Sequence, residues 1–421
     1  MFAGGAEQLA QLVAFAALDE DARARISDRA VELIGAVRAA GSDIMENFLT
    51  EYSLSTQEGI ALMCLAEALL RVPDPETIDA LIEDKVAPSD WGRHLGHSSS
   101  PLVNASTWAL MLTGKVLTDD QEPGMATLLR QAIKRLGEPA IRAATTQAIK
   151  EVGRQFVLGA DMVDALARAS GFEKKGFTYS YDMLGEAART EADARRYHLS
   201  YSNAINAASA ACNGDDIRNN PGISVKLSAL HPRYEPAQRA RVMEEMVGRV
   251  LSLVHLARSA GMGFNIDAEE ASRLDLSLDV FEAILSSPAL AGWDGLGFVV
   301  QAYSPRAIHV LDWLQALCTG LDRRIMVRLV KGAYWDSEIK HAQNLGLAGF
   351  PVFIRKSATD VSYLACARKL LGMTDRIYPQ FATHNAHTAM GVLEMAGGRR
   401  DFEFQRLHGM GQALHQNLMD T

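Results

Sequence analysis

The chemistry in this sequence concentrates at residues 326–335, MVRLVKGAYW, where two cations and two aromatics lie along and just past an apolar run. Met326, Val327, Leu329 and Val330 fit a strand buried on both faces, as parallel strands under helices are. Arg328 interrupts that run, and a guanidinium taken out of water needs a carboxylate, dense hydrogen bonding or a polar ligand. Lys331 sits beside Gly332, a pairing that suits close approach of an anion such as phosphate. Tyr334 and Trp335 add flat faces. Taken alone, the stretch reads better as a core ion pair with ordinary aromatic packing. What shifts the balance is that neighbouring stretches repeat the pattern.

Asp182, Lys226, Asp267, Gln301, the run Thr383-His384-Asn385 and His408 each stand near the end of a strand-like segment. An apolar barrel core would not carry an ionisable or amide group on every strand. Lys226 shares parity with Ser224 and Ser228, and Asn265, Asp267 and Glu269 likewise share one face. Such a set reads as a cleft for a polar ligand. Asp267, Glu269 and Glu270 with His384 could hold a divalent metal, but carboxylates beside Lys226 and Arg328 have their charge already neutralised, so no metal is expected. The competing reading is a phosphate-bearing cofactor met by Lys331, Arg355 and Lys356. Arg355-Lys356 could also be a solvated basic pair, yet it immediately precedes a helix with Thr359 or Asp360 as its expected cap. No GxGxxG follows a strand, so a dinucleotide would not sit in a Rossmann fold.

The elements that must carry these residues follow from periodicity. From Glu7 to about Ala40 apolar residues recur at three-to-four spacing, an amphipathic helical arm that needs a surface to cover, on the main body or on a second subunit. The helical pattern continues from Tyr52 to about Gly159 without a convincing strand. Beyond Gly171, strand-like runs at 177–183, 223–230, 264–269, 297–303, 325–331, 378–384 and 402–408 alternate with helical stretches. That alternation predicts a parallel sheet with right-handed crossovers, one unit short of the eight of a TIM barrel.

With 421 residues the chain exceeds the roughly 250 at which single cores tend to subdivide. The formal charge of −9 argues against a dominant nucleic-acid role, which needs clustered Lys and Arg. Cys64, Cys212, Cys318 and Cys366 form no CxxC pair and read as reduced, buried thiols. No apolar run reaches the roughly 18 residues of a membrane span, and the start lacks the pattern of a secretory signal, so a cytoplasmic location is expected.

GISVKLSALHPRYE (222–235), NIDAEE (265–270), MVRLVKGAYWD (326–336), FATHNAHT (381–388) and FEFQRLHGMG (402–411) closely resemble the proline dehydrogenase barrel of bacterial proline utilization A, and EYSLSTQEGIALMCLAEALLRVPD (51–74) resembles the helical domain of those bifunctional proteins. The resemblance implies an α/β fold, a distorted (βα)8 TIM barrel at 161–421 preceded by an all-helical arm (1–50) and a helical domain (51–160). It implies FAD as cofactor, L-proline and its analogues as ligands, and a quinone as electron acceptor. Peripheral association of the full-length protein with the inner face of the membrane would follow from that acceptor.

Carried over by position, Arg328 would lie against the flavin N5 region and Gln301 would bond the flavin ring. Lys331, Gly332, Ala333, Arg355 and Lys356 would hold the diphosphate and ribityl parts, with Trp335, Thr383, His384 and Asn385 completing the site. Lys226 would pair with the proline carboxylate, Asp267 would organise both substrate and cofactor sides, Tyr334 would close over the substrate ring, and Leu329 would touch substrate. Against the family pattern, the last barrel strand and helix and the aldehyde dehydrogenase module have no counterpart in this sequence. The acidic start LDEDARARISDRAVELIGAV lacks the strand and basic face of a ribbon-helix-helix domain, so no nucleic-acid partner is expected. A homodimer through the arm remains an open alternative to packing on the barrel.

Overall fold

A computed structural model of the chain describes residues 5–39, 157–183 and 185–420. The helical domain expected at 51–160 lies almost wholly outside those residues. The chain divides into two compact units, one made of Met1–Ile34, Ala165–Arg406 and Leu414–Thr421, the other of Gly35–Asp164 and Leu407–Ala413.

The first unit is built on seven parallel strands in sequential order: β1 (Ser180–Asp182), β2 (Gly222–Val225), β3 (Gly263–Ile266), β4 (Leu296–Gln301), β5 (Ile325–Val330), β6 (Ile377–Ala382) and β7 (Glu403–Gln405). Each overlaps a stretch the alternation predicted, with β2, β3, β4 and β6 starting one residue earlier, and each crossover carries a helix: α4 (Glu191–Ser209), α5 (Arg239–Ser259), α6 (Leu274–Leu285), α7 (Ala307–Leu321), α8 (Trp335–Asn344) with α9 (Lys356–Leu371), and α10 (Ala386–Ala396). Helices α1 (Gly5–Ala16), α2 (Glu20–Ala39) and α3 (Met162–Glu173) precede β1, and α11 (Gln412–Met419) follows β7. In α5 the buried residues Val242, Met246, Val250, Leu253, Val254 and Ala257 recur at three-to-four spacing, giving one apolar stripe for the sheet. Helix α4 starts at a reciprocal cap between Thr190 and Asp193, and Asn385 accepts from the Thr388 N–H at the start of α10.

Strand parity sorts the side chains. Ile223, Val225, Phe264, Ile266, Phe298, Val300, Val327, Leu329 and Phe381 face outward and are buried under the helices. Phe298 meets Phe281 of α6 edge-on at 5.0 Å, and each such buried ring contributes about 2–3 kcal/mol by removal from water. The inward register pairs Ser180 with Gly222, Asn265 with Gly297, and Arg328 with Gln380. Gly297 is forced: a Cβ there would stand 1.9 Å from Asn265 Oδ1.

The arm's apolar stripe covers the barrel. Leu12 and Ala16 of α1 pack with Phe353, Ala358 and Ala365, and Arg368 donates to the Ala16 carbonyl at 3.1 Å. In α2, Ile26 is fully buried and Arg25 pairs with Glu394 of α10 at 2.7 Å. Of the two surfaces open to this arm in the sequence, the chain's own barrel takes Leu12 and Ala16.

Candidate active site

Arg328 organises the interior. From β5 its Nε donates to Gln405 Oε1 on β7 at 2.6 Å, one terminal nitrogen to Ser224 Oγ on β2 at 3.0 Å and to Asp267 Oδ1 at 3.1 Å, and the other to Ser180 Oγ on β1 at 3.1 Å. One guanidinium thus touches side chains from both β1 and β7, the two ends of the strand order, which requires the sheet to curl around it. Asp267, just past β3, spans two cations: its other oxygen stands 3.5 Å from Lys226 Nζ. Lys226, just past β2, is also 2.9 Å from Asp182 Oδ2.

Burial disfavours the charged form of Lys226, but Asp182 and Asp267 more than offset it and raise its pKa, so the ammonium stays charged. Asp182 is pushed above the usual carboxylate range by burial and by the Asp267 charge, against the pull of Lys226. Beneath Arg328, Gln405 Nε2 donates to Glu403 Oε1 at 2.7 Å and Gln380 Nε2 donates to the same oxygen at 3.0 Å. Desolvation raises the Glu403 pKa as well.

At the mouth, Gln301 donates to the Glu269 carbonyl at 2.9 Å and accepts from the Ala333 N–H at 3.1 Å, tying the β4 end to the β5 loop. Gly332 has φ +137° and its α-carbon faces the Tyr303 ring, where a Cβ would stand 2.3 Å from Cδ2, so the glycine is required by that ring. Lys331 is ion-paired with Asp360 of α9. Trp335 donates its indole N–H to the Phe353 carbonyl at 2.8 Å. Tyr334 is half-buried at the start of α8, and its burial raises the phenol pKa.

Arg355 and Lys356 are exposed at the N-terminus of α9, where Arg355 takes the cap position without a side-chain cap bond. Thr383 is buried and accepts from the Asn385 N–H at 3.1 Å, while His384 and Asn385 are exposed. Desolvation lowers the His384 pKa to about 4. The arrangement offers a fixed guanidinium and an ammonium inside, and cations at a helix N-terminus outside, which suits an anionic planar ligand with a phosphate tail beside a small carboxylate.

Four sequence expectations are corrected. Leu329 does not enter the interior: it neighbours the inward Arg328 on a strand of period two, so it faces the helix layer and is fully buried. Glu269 does not share the face of Asp267, because β3 ends at Ile266; its carboxylate accepts from the Ser228 N–H at 2.9 Å and pairs with Arg273 at 2.7 Å. Ser228 similarly leaves the Lys226 face, since β2 ends at Val225, and its hydroxyl accepts from the Ala187 N–H. Thr359 and Asp360 lie within the first turn of α9 rather than capping it. Ser180, Gln380, Glu403 and Gln405 went unmarked in the sequence, although the alternation Phe402-Glu403-Phe404-Gln405 carried the signal. Among the described residues no three His, Cys, Asp or Glu side chains group to hold a metal ion, and no helix is long and apolar enough to cross a membrane.

Residues 165–421 match the family described as proline dehydrogenase. Residues 44–156 match the family described as the DNA-binding domain of proline dehydrogenase, which stands against the expectation, drawn from charge and the acidic start, of no nucleic-acid partner. The bifunctional protein PutA of Escherichia coli is 54% identical over 378 residues, 89% of this chain and 29% of that protein. Its counterpart from Rhizobium meliloti is 50% identical over 421 residues, 98% of this chain and 34% of that protein. A solved structure of a mutant proline utilization A from Bradyrhizobium japonicum superposes with a TM-score of 0.75 at 49% identity, covering 100% of this chain and 42% of that one. The chain therefore spans about a third of the length of these curated relatives.

Proposed function

The chain belongs to the proline dehydrogenase family, and from that premise we propose that its barrel oxidises L-proline to Δ1-pyrroline-5-carboxylate with FAD as cofactor and a quinone as final acceptor. The observation that carries the reading is Asp267, shared at 3.1 and 3.5 Å by a firmly held Arg328 and an exchangeable Lys226 at the carboxyl ends of the barrel strands.

The donor set fits FAD. Arg355 and Lys356 at the α9 N-terminus, with Lys331 behind them, would hold the diphosphate, and Gly332, Ala333, Trp335, Thr383, His384 and Asn385 would line the rest. Arg328 and Gln301 would meet the isoalloxazine ring. Bound there, FAD would supply a two-electron sink for a hydride from proline C5, with a quinone as the onward acceptor.

The chain's own residues do the positioning. Lys226 pairs with the substrate carboxylate and so holds proline in the site. Asp267 keeps both cations in register. Arg328 puts a fixed positive charge where negative charge accumulates, and it needs no reorganisation because Ser180, Ser224, Asp267 and Gln405 already hold it. Tyr334 lies within electrostatic reach of Lys226 and is suited to cover the substrate ring. Starting from the neutral amine, C5–H breaks as a hydride given to the cofactor, the nitrogen lone pair becomes the second bond of C=N, and N–H breaks to release a proton.

Purified protein that is yellow, bleaches with L-proline under anaerobic conditions and recolours with a quinone analogue is the expected result. Protein that is yellow but inert to proline refutes the substrate assignment, and colourless protein that takes up no added FAD refutes the cofactor assignment.

A further inference from the structure

We propose that Gln405, itself oriented by Glu403, is a positioning residue that fixes the Arg328 guanidinium plane facing the flavin. The inference rests on the flavin reading above and goes further, because it assigns work to two β7 side chains that no substrate or cofactor contact explains.

Arg328 has five N–H donors in one rigid fork. Its terminal nitrogens meet two serine hydroxyls and Asp267, and hydroxyls rotate to suit whatever donor they face. Rotation about the Cδ–Nε bond swings the Nε–H and the terminal nitrogens together, so the plane is set by Asp267 on one edge and, at Nε, by Gln405 Oε1 at 2.6 Å. A glutamine amide is ambivalent, since turning it over would point NH2 at the guanidinium and repel it. Glu403 removes the ambivalence. Its Oε1 accepts from Gln405 Nε2 at 2.7 Å and from Gln380 Nε2 at 3.0 Å, so both amides must turn their NH2 groups inward and Gln405 is left with its carbonyl toward Arg328.

The choice of an amide at 405 also has an electrostatic consequence. Among its hydrogen-bond partners Arg328 has one carboxylate, Asp267, and the second carboxylate is held one side chain away. The guanidinium is therefore oriented by Glu403 without direct neutralisation, and its positive field remains available to an electron-rich ring. A glutamate at 405 would keep the acceptor but place a negative charge directly on Nε.

The test uses FAD-loaded protein and two readouts: the midpoint potential of the bound flavin, equilibrated against a dye with xanthine and xanthine oxidase, and anaerobic stopped-flow reduction by L-proline. Gln405→Leu removes the acceptor and should slow flavin reduction roughly tenfold or more, the size of a lost charge-assisted bond, with the KM for proline held within about twofold. Glu403→Gln should slow it in the same direction by less, because the Gln405 amide becomes free to turn. Gln405→Glu, the nearest isostere and the safeguard if the leucine variant does not fold, keeps an acceptor at Nε but sets a second carboxyl against Glu403, so it should lower the potential increasingly as pH rises and the pair gives up its shared proton.

Unchanged potential in Gln405→Glu, or unchanged rate and potential in Gln405→Leu, overturns the proposal. A raised KM with an unchanged reduction rate also overturns it, by moving Gln405 into substrate binding. If wild-type protein binds FAD but ignores proline, the proline assignment fails by itself, and the potentials, which need no proline, still decide the role of Gln405.

Discussion

Replacing Lys226 by Met keeps the volume and removes one charge from the centre of the site. In the native chain the ammonium stands 2.9 Å from Asp182 and 3.5 Å from Asp267. Breaking a buried ion pair by removing one partner costs about 3–5 kcal/mol, since the other charge is left without compensation. The Asp182 side chain is 49% exposed, so water screens part of its loss and the low end, about 3 kcal/mol, applies. That cost depends on pH. Burial and the Asp267 charge already push the Asp182 pKa up, and Lys226 is the largest influence holding it down. Without Lys226 the folded chain binds a proton at Asp182 more readily than the unfolded chain does. A carboxyl with a raised folded pKa contributes stability at low pH that is lost as pH rises through the folded value. The gap between variant and wild type should therefore be smaller at pH 5 than at pH 8, where it reaches about 3 kcal/mol. Denaturant unfolding of the apoprotein at the two pH values measures it. In the loaded protein the same variant loses the counter-ion of the proline carboxylate, so KM should rise roughly 10- to 150-fold while the limiting rate of flavin reduction changes little. An equal gap at pH 5 and pH 8, or an unchanged KM, would refute the reasoning.

Asp182→Asn removes a competitor for Lys226 and should lower the KM for proline; a raised KM would mean that Asp182 aims the ammonium at the ligand. Leu12→Ala should cost about 2–3 kcal/mol, the low end for a buried leucine because α1 can settle on the barrel, and it should hasten flavin release on dilution, since Phe353 touches Leu12 and anchors Trp335; unchanged flavin retention would separate the arm from the site. Gly332→Ala meets the Tyr303 ring at 2.3 Å and a backbone at φ +137°, and should destabilise by about 2–4 kcal/mol in thermal or denaturant unfolding. Desolvation lowers the pKa of His384 to about 4 and also depresses that of His415, whose Nε2 lies 2.8 Å from the Thr383 carbonyl. Imidazoles in the unfolded chain protonate near about pH 6.5, so stability should fall as pH drops from there toward 4, and His384→Gln with His415→Gln should flatten that slope in pH-dependent melts.

How far the sequence revealed this architecture depends on the length over which a period runs. Strands β4, β5 and β6, each of six residues, gave unambiguous runs, and the polar residues at their ends were found where expected. Parity failed where it was carried past a strand end: β3 closes at Ile266, so Asp267 still faces inward while Glu269 has already turned to Ser228 and Arg273. The substrate contact expected of Leu329 came from the family resemblance, and parity is what removes it. Inside a strand parity is strict, and next to an inward Arg328 a leucine must face the helices. Glu403 and Gln405 escaped because β7 is three residues long, too short for its alternation to stand out beside the louder histidines.

The two interior cations are held in opposite ways, and that asymmetry is what the site requires. Arg328 makes four hydrogen bonds, to Ser180 on β1, Ser224 on β2, Asp267 just past β3 and Gln405 on β7. Lys226 is held by one buried carboxylate at 3.5 Å and one half-exposed carboxylate at 2.9 Å, and the second can yield to an incoming carboxylate at little cost. A guanidinium held by four bonds suits a resident group that must meet the same field on every turnover. An exchangeable ammonium suits a substrate that must come and go. Asp267 joins the two, so substrate arriving at Lys226 redistributes charge on the carboxylate that also bonds Arg328, and a change at one cation is felt at the other through a single side chain.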